Sequence, residues 1–232
     1  MMYRDRAEAG RRLVQRLRER IPDLDGEAVV VLGMVPGGVA VARTVALALR
    51  APLDIAVGLR LAAPGYDALG IGGVAAGGAA RVDARTVAML GVSGEYVEQT
   101  IRARLAEAER LAVRCRGGRP PVPLSNRRVI IIDDGAQTRY RSGAVVAAAR
   151  AAGAREVIFA VPIASSDMLA ALAGEADAVV CDHVPERHCG IGAHYAEWET
   201  PRIENLRGVL GRAVPHELPV PARRSRAPEP RP

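Results

Sequence analysis

Leu13, Val14, Leu17 and Ile21 fall on one helical face, with Arg11, Arg12, Arg16, Arg18 and Arg20 at the other positions, so the spacing predicts an amphipathic helix that ends at Pro22. From Ala28 to Leu32 the pattern changes to a continuous apolar, largely β-branched run that stops at Gly33. A strand covered on both faces reads this way in a parallel sheet. Gly37-Gly38 leads into an Ala/Val/Leu-rich helix up to about Leu49, and Leu53 to Val57 reads as a second strand. Ala62 to Gly78 is rich in Gly and Ala without a helical period, and irregular or short-strand structure is expected there. Ser93, Glu95 and Tyr96 open a long helix carrying Val97, Ile101, Leu105, Ala108 and Leu111 at steps of three and four.

Arg116 to Pro123 (RGGRPPVP) reads as a loop, and Val129 to Ile132 is the strongest strand signal in the chain, terminated by Asp133-Asp134-Gly135. A helix from about Ser142 to Ala152, a strand Val157 to Val161, a helix near Ser166 to Ala173 and a strand Ala178 to Cys181 complete the pattern. Strands alternating with helices predict an α/β fold on a mostly parallel sheet flanked by helices. Residues 62–121 read as an insertion over one end of that sheet. From Pro215 onward, six of 18 residues are proline, and a disordered Pro/Arg-rich tail is expected over 213–232.

Composition narrows the function. Aromatic residues make up only 3%, with one Phe and one Trp, so the core is built from Ala, Val, Leu and Ile. RNA-binding sheets and single-strand grooves need aromatic stacking platforms, and these are disfavoured. All 32 basic residues are Arg. Without a lysine there is no Walker A motif, no pyridoxal Schiff base and no kinase-type phosphate lysine. The net charge is +6, but 202–232 holds seven Arg against three Glu, leaving the first 201 residues nearly neutral. Nucleic-acid binding by the body of the protein is therefore not expected. The three cysteines form no C-x-x-C and no disulfide framework. The opening MMYRDRAEAGRR has no apolar h-region, and the apolar run from Ala28 to Val41 is broken by Gly33, Pro36, Gly37 and Gly38. The expectation is a soluble, cytoplasmic protein with no membrane partner.

The stretch Val129 to Gly143 (VIIIDDGAQTRYRSG) carries the candidate chemistry. A buried strand ends in adjacent carboxylates, followed by small and hydroxyl residues and a helix start. In open α/β sheets, ligands bind outside the carboxyl ends of the strands. Loop amides and a helix N-terminus can hold a phosphate. Asp133 and Asp134 can accept hydrogen bonds from a ribose diol and help hold a metal beside it.

These residues make the chain similar to the type I phosphoribosyltransferase family, in particular to a bacterial branch of it. That branch opens with F-x-D-R-x-x-A-G, here Tyr3-Arg4-Asp5-Arg6-Ala7-Glu8-Ala9-Gly10. It continues with V-L-G-L-P-R-G-G, R-K-L-G-A-P-G, Y-R-G-G-R-P-P and V-I-L-V-D-D-G-I-A-T-G-A-T, and it closes with G-x-W-Y-x-D-F. The resemblance runs from about Tyr3 to Trp198 and implies one such domain over 1–212, with 62–121 as its hood. It also implies a phosphoribosyl pyrophosphate ligand with Mg2+, held in part through Asp133 and Asp134, and transfer of ribose 5-phosphate to a nitrogen nucleophile. The implied ligand-binding residues are Pro36, Gly37, Gly38 and Arg60, with Gly135, Ala136, Gln137, Thr138, Arg139, Tyr140 and Arg141. A homo-oligomer is compatible with the sequence, which does not name the acceptor.

The departures from that pattern fall in the loops that would hold the ligand. Thr138 keeps its place, but Arg139-Tyr140-Arg141 replace Gly-Ala-Thr in the phosphate loop. The P-R-G-G loop becomes Val35-Pro36-Gly37-Gly38, losing an Arg and, at the Pro, a backbone donor. R-K-L becomes Leu59-Arg60-Leu61, and acidic positions of the next stretch become Ala68 and Ala76. Gly37, Gly38, Arg116, Gly117, Gly118, Asp133, Asp134 and Gly135 survive. Two accounts follow: Arg139 and Arg141 take over phosphate binding by side chain, or the fold persists as a non-catalytic nucleotide- or partner-binding module.

Other signals are weaker. Cys181, His183, His188, Cys189 and His194 are metal-ligand types within 14 residues, but their spacing fits no standard zinc finger. Gly70 to Ala75 formally matches G-x-G-x-x-A without a strand before it or a helix after it, so a dinucleotide fingerprint is rejected.

Overall fold

The computed structural model describes residues 2–24, 28–136, 138–186, 190–199 and 201–211, so the tail expected over 213–232 lies outside the described residues. In chain order the elements are α1 (Arg6–Arg20), β1 (Val29–Met34), α2 (Gly38–Leu49), β2 (Leu53–Ala56), β3 (Gly58–Ala63), β4 (Tyr66–Ala75), β5 (Ala79–Val82), α3 (Ala84–Met89) and α4 (Gly94–Arg116). There follow β6 (Arg128–Ile132), α5 (Arg139–Ala151), β7 (Glu156–Ile163), α6 (Ser166–Ala173), β8 (Ala178–His183), a 3-10 turn at Ile191–His194 and α7 (Ile203–Gly211). Among the described residues no helix is long and apolar enough to cross a membrane.

The main sheet is five-stranded and parallel throughout, in the order β2-β1-β6-β7-β8. Both faces are covered, which explains the unbroken apolar runs. Val29, Val31, Ile130, Ile132, Ile158 and Ala160 pack with Leu13 and Leu17 of α1 and Val41 and Val45 of α2. Their neighbours Val30, Leu32, Val129, Ile131, Val157 and Phe159 face the other way, onto Val145 and Ala149 of α5 and Leu172 of α6. The strand order reverses between β1 and β6, because the chain leaves β1 for the β2 edge and later returns to the other side. A crevice at the carboxyl ends of those two strands is where such sheets bind ligands.

Ala62 to Gly78 is more extended than the irregular or short-strand structure expected from the sequence. This stretch completes an antiparallel sheet, β3-β4-β5, in which β4 runs for ten residues and the β3–β4 register shifts around Ala62. Its glycines misled the reading because they serve close packing. A Cβ on Gly73 would strike the carbonyl of Tyr140, so β4 approaches the first turn of α5 backbone to backbone. On the other face Leu61, Ile71 and Val74 pack against Val97, Ile101 and Leu105 of α4.

Two further boundaries shift. The short helix α3 was not foreseen, and α5 begins at Arg139 rather than near Ser142. Arg139, Tyr140 and Arg141 therefore form a helical first turn, which fixes where their side chains go.

Asp54 of β2 anchors the loop after α4. It receives Arg116 Nε on both oxygens at 2.9 and 3.1 Å and the Val122 amide at 3.0 Å. This accounts for the Arg of the R-G-G-R-P-P segment as a structural residue.

Candidate functional site

A cleft of about 650 Å³ opens at the carboxyl ends of β1 and β6, at the point where the strand order reverses. Val35, Pro36 and Gly37 follow β1 into it, and the Val35–Pro36 peptide is cis. Asp133, Asp134 and Gly135 follow β6. Thr138, Arg141 and Ser142 bring the N-terminus of α5 to the cleft, and Arg60 reaches it from β3. The far wall is Gly190, Ile191, Gly192, Trp198 and Pro201, with Arg6 from α1.

The two carboxylates differ in environment. Asp133 is buried, and its Oδ1 accepts from the Asp134 amide at 3.0 Å. Burial first, then the charge of Asp134, push its acid group up to about 8, while the Arg141 charge opposes the shift. Asp134 instead pairs with Arg6, whose Nε lies 2.8 Å from Oδ2. The Asp134 carbonyl accepts from the Tyr195 hydroxyl at 2.7 Å. Burial holds that phenol well above its ordinary range, so it stays a neutral donor.

Arg6 is positioned by its own helix start. Asp5 caps α1 by accepting from the Glu8 amide, and Glu8 reaches back to the Arg4 amide, both at 2.7 Å. Tyr3 ties the same segment to the far wall: its amide donates to the His194 carbonyl at 2.8 Å, and its carbonyl accepts from the Ala196 amide at 2.7 Å.

The basic residues of the divergent loop separate. Arg139 and Tyr140 turn away from the cleft and share Asp83, with Arg139 Nη2 at 2.5 Å and the Tyr140 hydroxyl at 2.9 Å from Oδ2. The Thr86 amide, then Tyr140 and Arg139, hold the Asp83 carboxyl far below its usual range. Arg141 lines the cleft, but its Nε donates to the Gly58 carbonyl at 3.0 Å and its Nη2 to the Val35 carbonyl at 3.1 Å. Arg60 donates to the carbonyls of Asp67 and Ala68 in its own hairpin. Thr138 stands at the N-cap of α5 without a side-chain hydrogen bond to the helix, so its hydroxyl does not occupy the leading amides.

Of the candidates from the sequence, the cleft brings together Pro36, Gly37, Arg60, Asp133, Asp134, Gly135, Thr138 and Arg141. Gly38 sits behind them against the Ile132 carbonyl, and Ala136 is buried, its amide donating to the Ile163 carbonyl at 3.0 Å. Gln137 lies outside the described residues. Sequence reasoning missed Arg6, Ser142, Ile191 and Trp198. Arg6 and Trp198 belonged to the opening and closing motifs, and that was the available signal.

The resemblance implies magnesium, and the donors do not fit an ion held by the protein. Mg2+ asks for octahedral oxygen ligands with carboxylate charge. Asp134 Oδ2 already receives a guanidinium, and Asp133 is buried against its neighbour's amide. Among the described residues no group of three or more His, Cys, Asp or Glu is placed to hold a metal. The zinc reading fares no better there: Cys181 points at the Pro162 and His183 carbonyls, and burial pushes its thiol up to about 11. His188 and Cys189 lie outside the described residues.

An open parallel sheet flanked by helices, with a polar cleft at its switch point beside adjacent carboxylates and a helix N-terminus, defines an α/β protein whose cleft lies where such sheets bind ligands. No family model matches the sequence. Two curated proteins from two strains of Mycobacterium tuberculosis, each named "Putative phosphoribosyl transferase", are 37% identical to it over 212 residues, covering 91% of this chain and 47% of theirs. The chain thus spans about half the length of those relatives. The crystal structure of TT1426 from Thermus thermophilus matches with a TM-score of 0.76 at 31% identity, over 90% of this chain and 98% of that one. By these relatives the chain is phosphoribosyltransferase-like.

Proposed function

We propose that the cleft binds a sugar phosphate of the ribose 5-phosphate or phosphoribosyl pyrophosphate type, with glycosyl transfer weak or lost. The observation that carries the reading is the N-terminus of α5. Its amides have no side-chain cap, and Thr138 and Ser142 line the cleft beside Asp134. A phosphate placed there would take the leading amides and the Thr138 hydroxyl, while the sugar hydroxyls would donate to Asp134. Weak transfer is supported by the loop after β1, where Pro36 offers no donor to a leaving pyrophosphate. Arg139 and Arg141 are engaged by protein partners. Loss of one positioned donor at a developing charge typically costs about 10² to 10³ in rate.

Calorimetric titration of the full chain with phosphoribosyl pyrophosphate and with ribose 5-phosphate tests the reading. Saturable binding that weakens in Asp134→Asn is expected, with little pyrophosphate release when purine or pyrimidine bases are added. Brisk release with any base would overturn the claim of weak transfer. No binding of either sugar phosphate would leave the partner-binding module.

A further inference from the structure

Arg6 and Asp134 are 128 residues apart in sequence and meet inside the cleft at 2.8 Å, with side chains only 9% and 13% exposed. The guanidinium is held from three directions. Nε donates to Asp134, Nη1 donates to the Glu199 carbonyl at 2.6 Å, and the central carbon lies 3.9 Å from the centroid of the Trp198 ring. A guanidinium has five N–H donors, and these two bonds leave others on a group that lines the cleft. The position is also the right one electrostatically. A ligand phosphate would bring further negative charge beside the Asp134 carboxylate, in a place little exposed to water. A cation beside Asp134 offsets that charge, and Arg6 is already in that place.

We infer that Arg6 is the resident cation of the sugar site, standing where a divalent metal would otherwise be needed, so that a sugar phosphate binds here without one. The inference rests on the sugar-phosphate reading above. A vicinal diol suits the pair: its hydroxyls donate to the Asp134 carboxylate and accept from the guanidinium. A divalent ion on Asp134 would have to displace Arg6 from a carboxylate, a carbonyl and an aromatic ring at once, or sit against a like charge in a site little exposed to water. Trp198 is the positioning residue of this arrangement. Its ring fixes the plane of the guanidinium, and the Glu199 carbonyl fixes the rotation about it.

The test is the metal dependence of ribose 5-phosphate binding by the full chain, measured by calorimetry in EDTA and in excess magnesium. The wild-type dissociation constant is expected to be nearly the same in both. Arg6→Gln should weaken binding in EDTA by about tenfold or more, as for loss of a charge-assisted contact, and magnesium should recover part of the loss. Arg6→Lys keeps the charge and should remain close to metal-independent. Wild-type binding that appears only with magnesium overturns the inference while leaving the sugar-phosphate reading intact. Equal binding by Arg6→Gln and wild type in EDTA does the same. Absence of wild-type binding in both buffers overturns both. Should the Arg6 variants fail to fold, titration of the wild-type protein and ribose 5-phosphate with Mn2+, followed by paramagnetic relaxation, decides alone. No protein-held Mn2+ is expected, and a tight site overturns the inference.

Discussion

Gly37 lies directly under the carboxylate of Asp134, so closely that a Cβ added there would overlap Oδ2. The glycine pair after β1 is therefore shaped first by the protein's own acid and only secondarily by any ligand. Gly37→Ala must push Asp134 away from Arg6 or distort the turn. Overpacking of this kind costs about 1–3 kcal/mol. A lower melting temperature and weaker sugar-phosphate binding are expected together, and unchanged binding in a destabilised variant would detach Asp134 from the ligand.

Arg139 and Arg141 should behave differently when replaced one at a time. Arg139 is half-exposed on Asp83, outside the cleft, so Arg139→Gly is expected to cost about 1 kcal/mol or less through its ion pair. The change also puts glycine at the first position of α5. Ligand affinity should not move. Arg141→Thr removes the bridge between the Val35 and Gly58 carbonyls and should be the more damaging change, by about 1–3 kcal/mol. Paired thermal melts and calorimetry distinguish the two. Equal effects on affinity would contradict the division of roles drawn here.

Asp133 makes stability depend on pH in a stated direction. Its folded acid group is raised to about 8 by burial and by Asp134, whereas an unfolded Asp titrates near 4. Between those values the folded state carries the extra proton, so this residue's contribution to stability falls as pH rises and levels off above about 8. Asp133→Asn keeps an oxygen for the Asp134 amide and cannot ionise. Its melting temperature relative to wild type should improve from pH 5 to pH 8.5, and a difference that stays flat over this range would refute the assignment.

The Asp54–Arg116 pair predicts a purely structural phenotype. Both partners are well shielded, and Asp54 also takes the amides of Ile55 and Val122. Asp54→Ala should destabilise by about 3–5 kcal/mol, the range for a buried pair stripped of one partner. Urea unfolding of Asp54→Ala measures this, and the variant's folded fraction should still bind ligand as wild type does.

What could be read in the sequence was the part governed by local periodicity. The run Val129–Ile132 ending in Asp133-Asp134 is a strand end at the cleft, and the alternation of strands and helices gave the parallel sheet. The β3-β4-β5 sheet was not legible. Gly58 and Gly73 meet the backbone of α5 at Arg141 and Tyr140, far along the chain, and no local pattern encodes those contacts. Arg139 was misplaced for a related reason: Asp83, which draws it away, belongs to a different part of the chain. Arg6 stood in the opening motif without a role, and only tertiary structure sets it beside Asp134 and Trp198.

The stitching of Tyr3 and Arg4 to His194, Ala196 and Glu197 bears on how the molecule is made. On a ribosome α1 emerges well before Trp198 and Glu199, the wall residues that hold Arg6 and follow almost two hundred residues later. Although β1 must wait for β6 about a hundred residues later, neighbouring pairs such as β1–β2 and β6–β7 can form as they appear. The wall carrying Arg6 cannot, because it needs Trp198 and Glu199. The sheet is therefore complete with β8, a few residues before the wall that finishes the cleft. A ribosome stalled before Trp198 has left the exit tunnel would display a largely assembled fold in which Asp134 still lacks its arginine.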